Sequence, residues 1–261
     1  MHLPSLTLVG PGRAGRAFLR SWLAAGGSVD AVLERERPAS PVSSPVLVLA
    51  VPDDALGSVA AAIAPSARCR YAFHLSGALA SDAIAVLRGT GAALGSFHPL
   101  RAFRGGEDET LAGSFVAIEG DTAACEAAEA FARALGAVPH RIAKEAKPLY
   151  HAGATMAAGG SVALVSAATR VWAAAGIPEA DARAALAGLA ADAVAGAEAN
   201  PFFEAFTGPV ARRDVGTVRS HLAALEKTPE LLRLYVLLAR ETLARTPGPG
   251  SDDELRGLLT C

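Results

Sequence analysis

Cysteine is scarce and poorly placed for chemistry. The 261-residue chain has three, Cys69, Cys125 and Cys261, odd in number and far apart, which excludes a disulfide framework and leaves no pair at zinc-ligand spacing. His140 and His221 likewise lack a carboxylate at ligand spacing, so no bound metal is expected. Neither sign of charge is in excess: 24 Lys+Arg against 26 Asp+Glu give a net charge of −2. That balance excludes the long-range basic field of a nucleic-acid binder. A charged leader is also missing, since Met1–Val9 holds no basic start and its apolar run breaks at Gly10-Pro11-Gly12; a cytoplasmic protein is expected. Long hydrophobic runs are nearly absent. The one stretch that imitates a membrane span by length is Ala152–Thr169, without a charge. It has seven Ala, three Gly and four Ser or Thr against only Met156, Val162, Leu164 and Val165. A small-residue helix packed closely against another helix is therefore expected, and no membrane partner.

What is present is core material. Hydrophobic residues make up 51% and charged residues 19%, which excludes wholesale disorder. In the first half, short apolar runs alternate with helical stretches, the pattern of a parallel sheet with crossovers. Strands are expected at Leu6–Gly10, Val29–Glu34, Val46–Val51, Tyr71–Leu75, Ala92–Phe97, Phe115–Glu119 and Val138–Ile142. Helices are expected at Arg13–Ala25, Asp54–Ala62, Ser81–Arg88 and Thr122–Leu135. Prolines and serines through Arg35–Pro45 argue against a crossover helix there. After about Lys144 the strand signal stops and helices are expected at Lys147–Ala175, Pro178–Gly196, Val210–Leu225 and Pro229–Arg245. The fold class is α/β: a Rossmann-type parallel-sheet domain at residues 1–144, then an all-helical domain at 145–261 for substrate and dimerisation.

Gly10-Pro11-Gly12-Arg13-Ala14-Gly15 follows an apolar strand and opens a helix, the context that makes a bare glycine pattern a dinucleotide fingerprint. Gly10 permits the tight turn, Gly12 lets backbone approach a pyrophosphate, and Gly15 lets the helix pack on the sheet. The helix start adds free N–H groups and partial positive charge. At the end of the second strand, Glu34 suits the ribose of NAD, whereas Arg35 and Arg37 suit the 2′-phosphate of NADP. The two arginines favour NADP, with NAD the alternative. Val51-Pro52-Asp53 ends the third strand at the same edge, its backbone placed for the nicotinamide side. The rule that ligands bind beyond strand carboxyl ends also singles out Ser76-Gly77 and His98-Pro99.

These pieces resemble a known family. GPGRAG (10–15), LAVPDD (49–54), HLSGALASD (74–82), GSFHPLRAF (95–103), KPLYHAGA (147–154) and TGPVARRD (207–214) together resemble the bacterial Rossmann-like proteins with a helical C-terminal domain of unknown function. More distantly the chain is similar to deazaflavin-dependent NADP oxidoreductase, pyrroline-5-carboxylate reductase, prephenate dehydrogenase and 6-phosphogluconate dehydrogenase. The resemblance implies an NAD(P)-binding N-terminal domain, a helical dimerisation domain, and a site between them. One departure stands out: an Asn that often follows the YHA segment in the family is replaced by Gly159-Gly160.

Hydride transfer to a carbonyl or imine needs a proton donor within hydrogen-bond reach. His98 lies just past a strand end, and an ordinary imidazole pKa near ~6.5 suits it for that work. His151 stands at the start of the long helix, where the superfamily tends to place its base. Lys147 lies one turn earlier on the same helical face, either as an anion ligand or as a solvated surface lysine. Ser76 offers its hydroxyl and the following N–H groups to a carboxylate, while His74 before it reads as a core residue. Three functions are compatible. The first is an NADP-dependent oxidoreductase of a small anionic keto or imino compound, the second a non-catalytic dinucleotide-binding regulator, the third a hydride exchange between NADP and a deazaflavin. The helical half has more apolar surface than one Rossmann face covers, so a homodimer is expected.

Overall fold

The computed structural model describes residues 2–34, 41–246 and 252–260. The chain divides into two compact units, Met1–Ala158 and Gly159–Cys261. In the first unit, seven strands form one sheet: β1 (Ser5–Val9), β2 (Ser28–Leu33), β3 (Val46–Leu49), β4 (Tyr71–His74), β5 (Ala93–Pro99), β6 (Phe115–Gly120) and β7 (Val138–Arg141). Their order is β2-β1-β3-β4-β5-β6-β7. Every neighbouring pair is parallel except β5 and β6. All seven lie at expected positions, six as apolar runs and β7, Val-Pro-His-Arg, as a short exposed edge strand. The central ones show why: Val46, Leu47, Val48 and Leu49 are all fully buried, as in a strand covered on both faces. Each such side chain contributes about 1.5–3 kcal/mol.

Helices cover the sheet. On one face lie α1 (Arg13–Ala24) and α3 (Thr122–Ala134), and their Phe18, Trp22 and Phe131 join Phe73 and Phe97 of the strands in one aromatic core. Trp22 meets Phe131 edge-on at 5.2 Å, and Phe18 meets Phe97 edge-on at 5.5 Å. On the other face α2 (Leu56–Ile63) and the segment Ser81–Thr90 bury Leu56, Ile63, Ile84 and Leu87. The segment Ser81–Thr90 corrects an expectation of α-helix. It winds as 3₁₀ turns, broken where Ile84 leaves helical torsions (φ −116°, ψ 25°) with its side chain fully buried. Its first residue, Ser81, gives both N–H and hydroxyl to the Glu119 carboxylate at 2.7 and 2.9 Å, so the segment is tied to the sheet rather than free to coil. Among the described residues no helix connects β2 to β3.

Strand β1 pairs with β2 on one side and β3 on the other. The strand order therefore reverses at β1, whose carboxyl end is the switch point where ligands of such sheets bind. Gly10-Pro11-Gly12 leaves β1 at that point.

The backbone stays helical from α4 (Lys147–Thr155) through a π-helical turn, Met156–Gly160, into α5 (Ser161–Ala174). The Gly159-Gly160 pair lies inside the π turn. The whole stretch Lys144–Ala174 is long and apolar enough to cross a membrane, with a mean hydropathy of 1.2 and 6% of that window buried. Close packing was expected on this stretch. α5 does lie beside α6 (Glu179–Ala199), but most of Ala152–Thr169 stays exposed, with only Thr169 buried and Met156 and Val162 at 75% and 72% exposure, so the close packing is met only in part. Four more helices complete the second unit: α7 (Phe202–Ala205), α8 (Val215–Leu225), α9 (Pro229–Arg245) and α10 (Asp253–Leu258). The helix expected from Val210 starts only at Val215, because Asp214 is its N-cap and accepts from the Thr217 N–H at 3.0 Å. The preceding Arg213, at φ 58°, is turned into Asp252 and Thr246 and so has a structural partner set.

Candidate functional site

The glycine-rich turn has the geometry its residues imply. A Cβ on Gly10, at φ +87°, would lie 2.6 Å from the Ala50 carbonyl oxygen, and one on Gly15 would lie 2.5 Å from the Gly10 carbonyl oxygen. Neither position admits a side chain. Gly12 faces open space, so its backbone is free to be approached. Gly12 is also the N-cap of α1, with no side-chain cap and no acidic residue in the first turn. The opening N–H groups at Arg13, Ala14 and Gly15 are thus left for an anion. Val51 packs against the turn, its Cγ1 2.8 Å from the Cβ position of Gly10. Pro52 and Asp53 follow, Pro52 accepting from the Ala55 N–H as the backbone turns toward α2. Glu34 is exposed at the end of β2. Arg35 and Arg37 lie outside the described residues. The cradle fits a dinucleotide pyrophosphate by its donors, its open glycine and its position at the switch point.

A second cluster forms at the carboxyl ends of β4 and β5, further along the same sheet edge. His74 ends β4, fully buried as expected of a core residue. Its Nε2 lies 3.0 Å from the Ala80 carbonyl and its Nδ1 accepts from the Ser76 N–H at 3.2 Å, which fixes a neutral ring with the proton on Nε2. Burial, and then the Lys147 charge, hold its pKa down to about 4. The Ser76 hydroxyl accepts from the Ala78 and Leu79 N–H groups at 3.2 and 3.0 Å. Those two donors, expected to serve a ligand, are therefore spent on the turn itself, and Ser76 retains its own O–H proton.

Lys147 corrects the surface alternative. Only 1% of it is exposed. Its Nζ donates to the Ser76 carbonyl at 3.1 Å and, closely, to the Ser96 hydroxyl. No ion pair of Lys147 with a carboxylate exists among the described residues, so desolvation pushes its pKa down to about 8, with Glu119 and Asp53 pulling the other way. His98, at the end of β5, also departs from expectation. Burial first, then Lys147 and His151, lower its pKa to about 4, well under the ordinary imidazole value. At neutral pH it is uncharged and acts as a hydrogen-bonding group. Its Nδ1 meets the Tyr150 hydroxyl at 2.7 Å, and the rings cross edge-on at 5.6 Å. His98 and His151 lie 6.2 Å apart, and both press on Gly77: a Cβ there would be 2.7 Å from His98 Nε2 and from His151 Cδ2.

Of the residues expected from sequence, Ser76, His98, Lys147 and His151 are brought together. Tyr150, Ser96 and Glu119 were missed. Tyr150 is one turn from Lys147, and Ser96 shares a strand face with His98 by the two-residue period. Both signals were available from spacing. His140 is elsewhere, stacked on Phe115 at 4.2 Å, and His221 bonds the Tyr235 hydroxyl in the helical unit. Among the described residues no group of three metal-ligating side chains occurs.

The fold is a Rossmann-type, mostly parallel sheet domain followed by a helical region. Residues 114–242 match the family described as a domain of unknown function, DUF2520, as the sequence resemblance implied. No curated protein matches the chain. A protein of Thermotoga maritima shares the fold with a TM-score of 0.71 at 22% identity, over 92% of this chain and 98% of that one. A Bacteroides fragilis protein described as a candidate NADP oxidoreductase has a TM-score of 0.72 at 18% identity, over 93% and 99%. The pyrroline carboxylate reductase of Plasmodium falciparum, solved with NADP bound, has a TM-score of 0.59 at 12% identity, over 95% and 100%. At these identities the likeness establishes the fold.

Proposed function

We propose that the protein is an NADP-dependent oxidoreductase acting on a small anionic keto or imino compound or its reduced form. The observation that carries this reading is the buried Lys147–Ser76–Ser96 group with the half-buried His98, Tyr150 and His151 beside it, on the same sheet edge as the glycine cradle. Gly12 and the N–H groups of Arg13, Ala14 and Gly15 would hold the pyrophosphate, and Val51, Pro52 and Asp53 would line the nicotinamide side. The bound nicotinamide supplies or accepts the hydride. Lys147, cationic below its pKa of about 8, draws an anionic substrate toward the Ser76–Gly77 turn. His98 stays neutral, and with the Tyr150 hydroxyl donating to Nδ1 its Nε2–H polarises a carbonyl oxygen or imine nitrogen. His151, half-buried on the other side of Gly77, exchanges the proton.

The second part of the proposal is a homodimer. Met156, Val162, Leu189 and Val194 are exposed apolar side chains on helices that a second copy would cover. Turnover of NADPH against a panel of small keto acids and cyclic imines tests the chemistry. His151→Ala is expected to keep NADPH binding and lose about 10²–10⁴-fold in kcat, the usual worth of a positioned proton donor. His98→Ala should lose kcat with little change in its pH profile. Undiminished turnover in both variants would remove the roles assigned here.

A further inference from the structure

A small cavity beside the glycine cradle is walled by three arginines. It holds about 240 Å³ and is lined by Gly12, Arg13, Arg16, Arg20 and Gly105. Arg13, Arg16 and Arg20 are spaced three and four apart on α1 and so share one flank of it over about 10 Å. The opposite wall is the loop after β5. Gly105, at φ +96°, brings its backbone so near that a Cβ would lie 3.4 Å from Arg13 Cγ. That wall is built, not casual. The Glu109 carboxylate accepts the Arg104 and Gly105 N–H groups at 2.7 and 2.9 Å. Arg20 fastens the loop by donating to the Glu109 and Gly106 carbonyls, each at 2.9 Å. Arg16 folds back over the glycine turn and donates Nε to the Pro11 carbonyl at 2.7 Å, leaving its outer donors unspent.

None of the three guanidinium groups is ion-paired with a carboxylate among the described residues. Glu107 and Asp108 of the same loop do not line the cavity, and Glu109 is engaged with backbone. Three like charges gathered in one concavity repel one another and raise the local concentration of anions. Guanidinium forks match the oxygens of a phosphate in geometry as well as charge. The cavity also runs along the flank of the helix, beyond the opening N–H groups that a pyrophosphate would use.

We propose that this cavity is a second phosphate subsite adjoining the dinucleotide cradle, and that it takes a phosphate monoester. The ester is carried either by the cofactor, as a 2′-phosphate, or by a separate phosphorylated compound. Only the first source rests on the dinucleotide reading above. Calorimetric titration of the full chain at low, fixed ionic strength with inorganic phosphate, NADP+ and NAD+ tests it. Wild type is compared with Arg13→Gln/Arg16→Gln, with Arg16→Gln alone, and with Arg183→Gln in the other unit as a charge control; Arg20 is kept because it fastens the loop. Thermal unfolding without ligand reports that each variant folds.

Inorganic phosphate affinity is expected to fall tenfold or more in the double variant, less in the single one, and not at all in Arg183→Gln. A parallel loss for NADP+ but not NAD+ assigns the subsite to the cofactor. Unchanged dinucleotide affinities with phosphate lost assign it to a separate ester. Phosphate binding that is absent from wild type, or indifferent to both variants, overturns the subsite even if NADP+ binds. Wild type that takes up phosphate but neither dinucleotide sustains the subsite and overturns the cofactor reading.

Discussion

His74 and His98 show how a single buried imidazole shapes both stability and chemistry. Each has its pKa lowered to about 4, first by burial and then by the Lys147 charge. In the unfolded chain both return to about 6.5. Between those values the unfolded state binds more protons than the folded one, so stability rises with pH across that window and falls on acidification. The loss is bounded at roughly 3 kcal/mol for each ring. His74→Gln, which can still reach Ala80, is expected to flatten the stability slope between pH 6.5 and 4 by about half, as read by urea unfolding at a series of pH values. A slope identical to wild type would place the acid sensitivity elsewhere. Lys147 acts in the same direction at higher pH, since its folded pKa of about 8 lies below the ordinary lysine value. These shifts were not legible in sequence, because they arise from desolvation by residues far apart in the chain. His98 read as an ordinary imidazole and Lys147 as a surface group until β4, β5 and α4 were placed together.

At the scale of elements, local chemistry decided the boundaries. The central strands β1, β3 and β4 were visible because β-branched and Leu runs suit a parallel sheet buried on both faces, whereas the outer strands β2 and β7 are half-buried or exposed and carry weaker signals. The helices that were misread failed for identifiable reasons. Ser81–Thr90 has helical composition, yet Glu119, distant in sequence, anchors Ser81 and Ile84 breaks the coil to reach the core. The start of α8 was placed at Val210, when the capping aspartate stood four residues later. That cap is open to test. Asp214→Ala removes the acceptor for Thr217 N–H and Oγ1 and is expected to lower stability by about 1 kcal/mol. Urea unfolding with an unchanged midpoint would show that Arg213 and its partners Asp252 and Thr246 hold the turn without it.

For the whole molecule, the glycine fingerprint and the strand order agree on one location. The motif leaves β1 where the sheet reverses, so sequence and topology select the same edge for a nucleotide. That agreement made the fold and the cradle legible from residues 10–15. A 2′-phosphate site was not, because Glu34 alone does not decide it and the arginine-walled cavity of Arg13, Arg16 and Arg20 forms only where the loop carrying Gly105 meets α1. The helical half carries its own consequence. If a second copy covers its exposed apolar side chains, light scattering at micromolar concentration returns twice the chain mass of 26.4 kDa. A mass of one chain would show those side chains to be tolerated in solvent.

The proposed binding of NADP by the cradle is read by thermal unfolding with NADPH, NADP+, NADH and NAD+ in turn. A ligand bound only by the folded state at a hundredfold excess over its Kd adds about 2.7 kcal/mol, worth roughly 5–10 °C in Tm for a chain of this size. A rise with the phosphorylated pair, larger than with NADH or NAD+, is the expected result. No rise with any of the four would overturn dinucleotide binding and leave the glycine turn as fold without ligand.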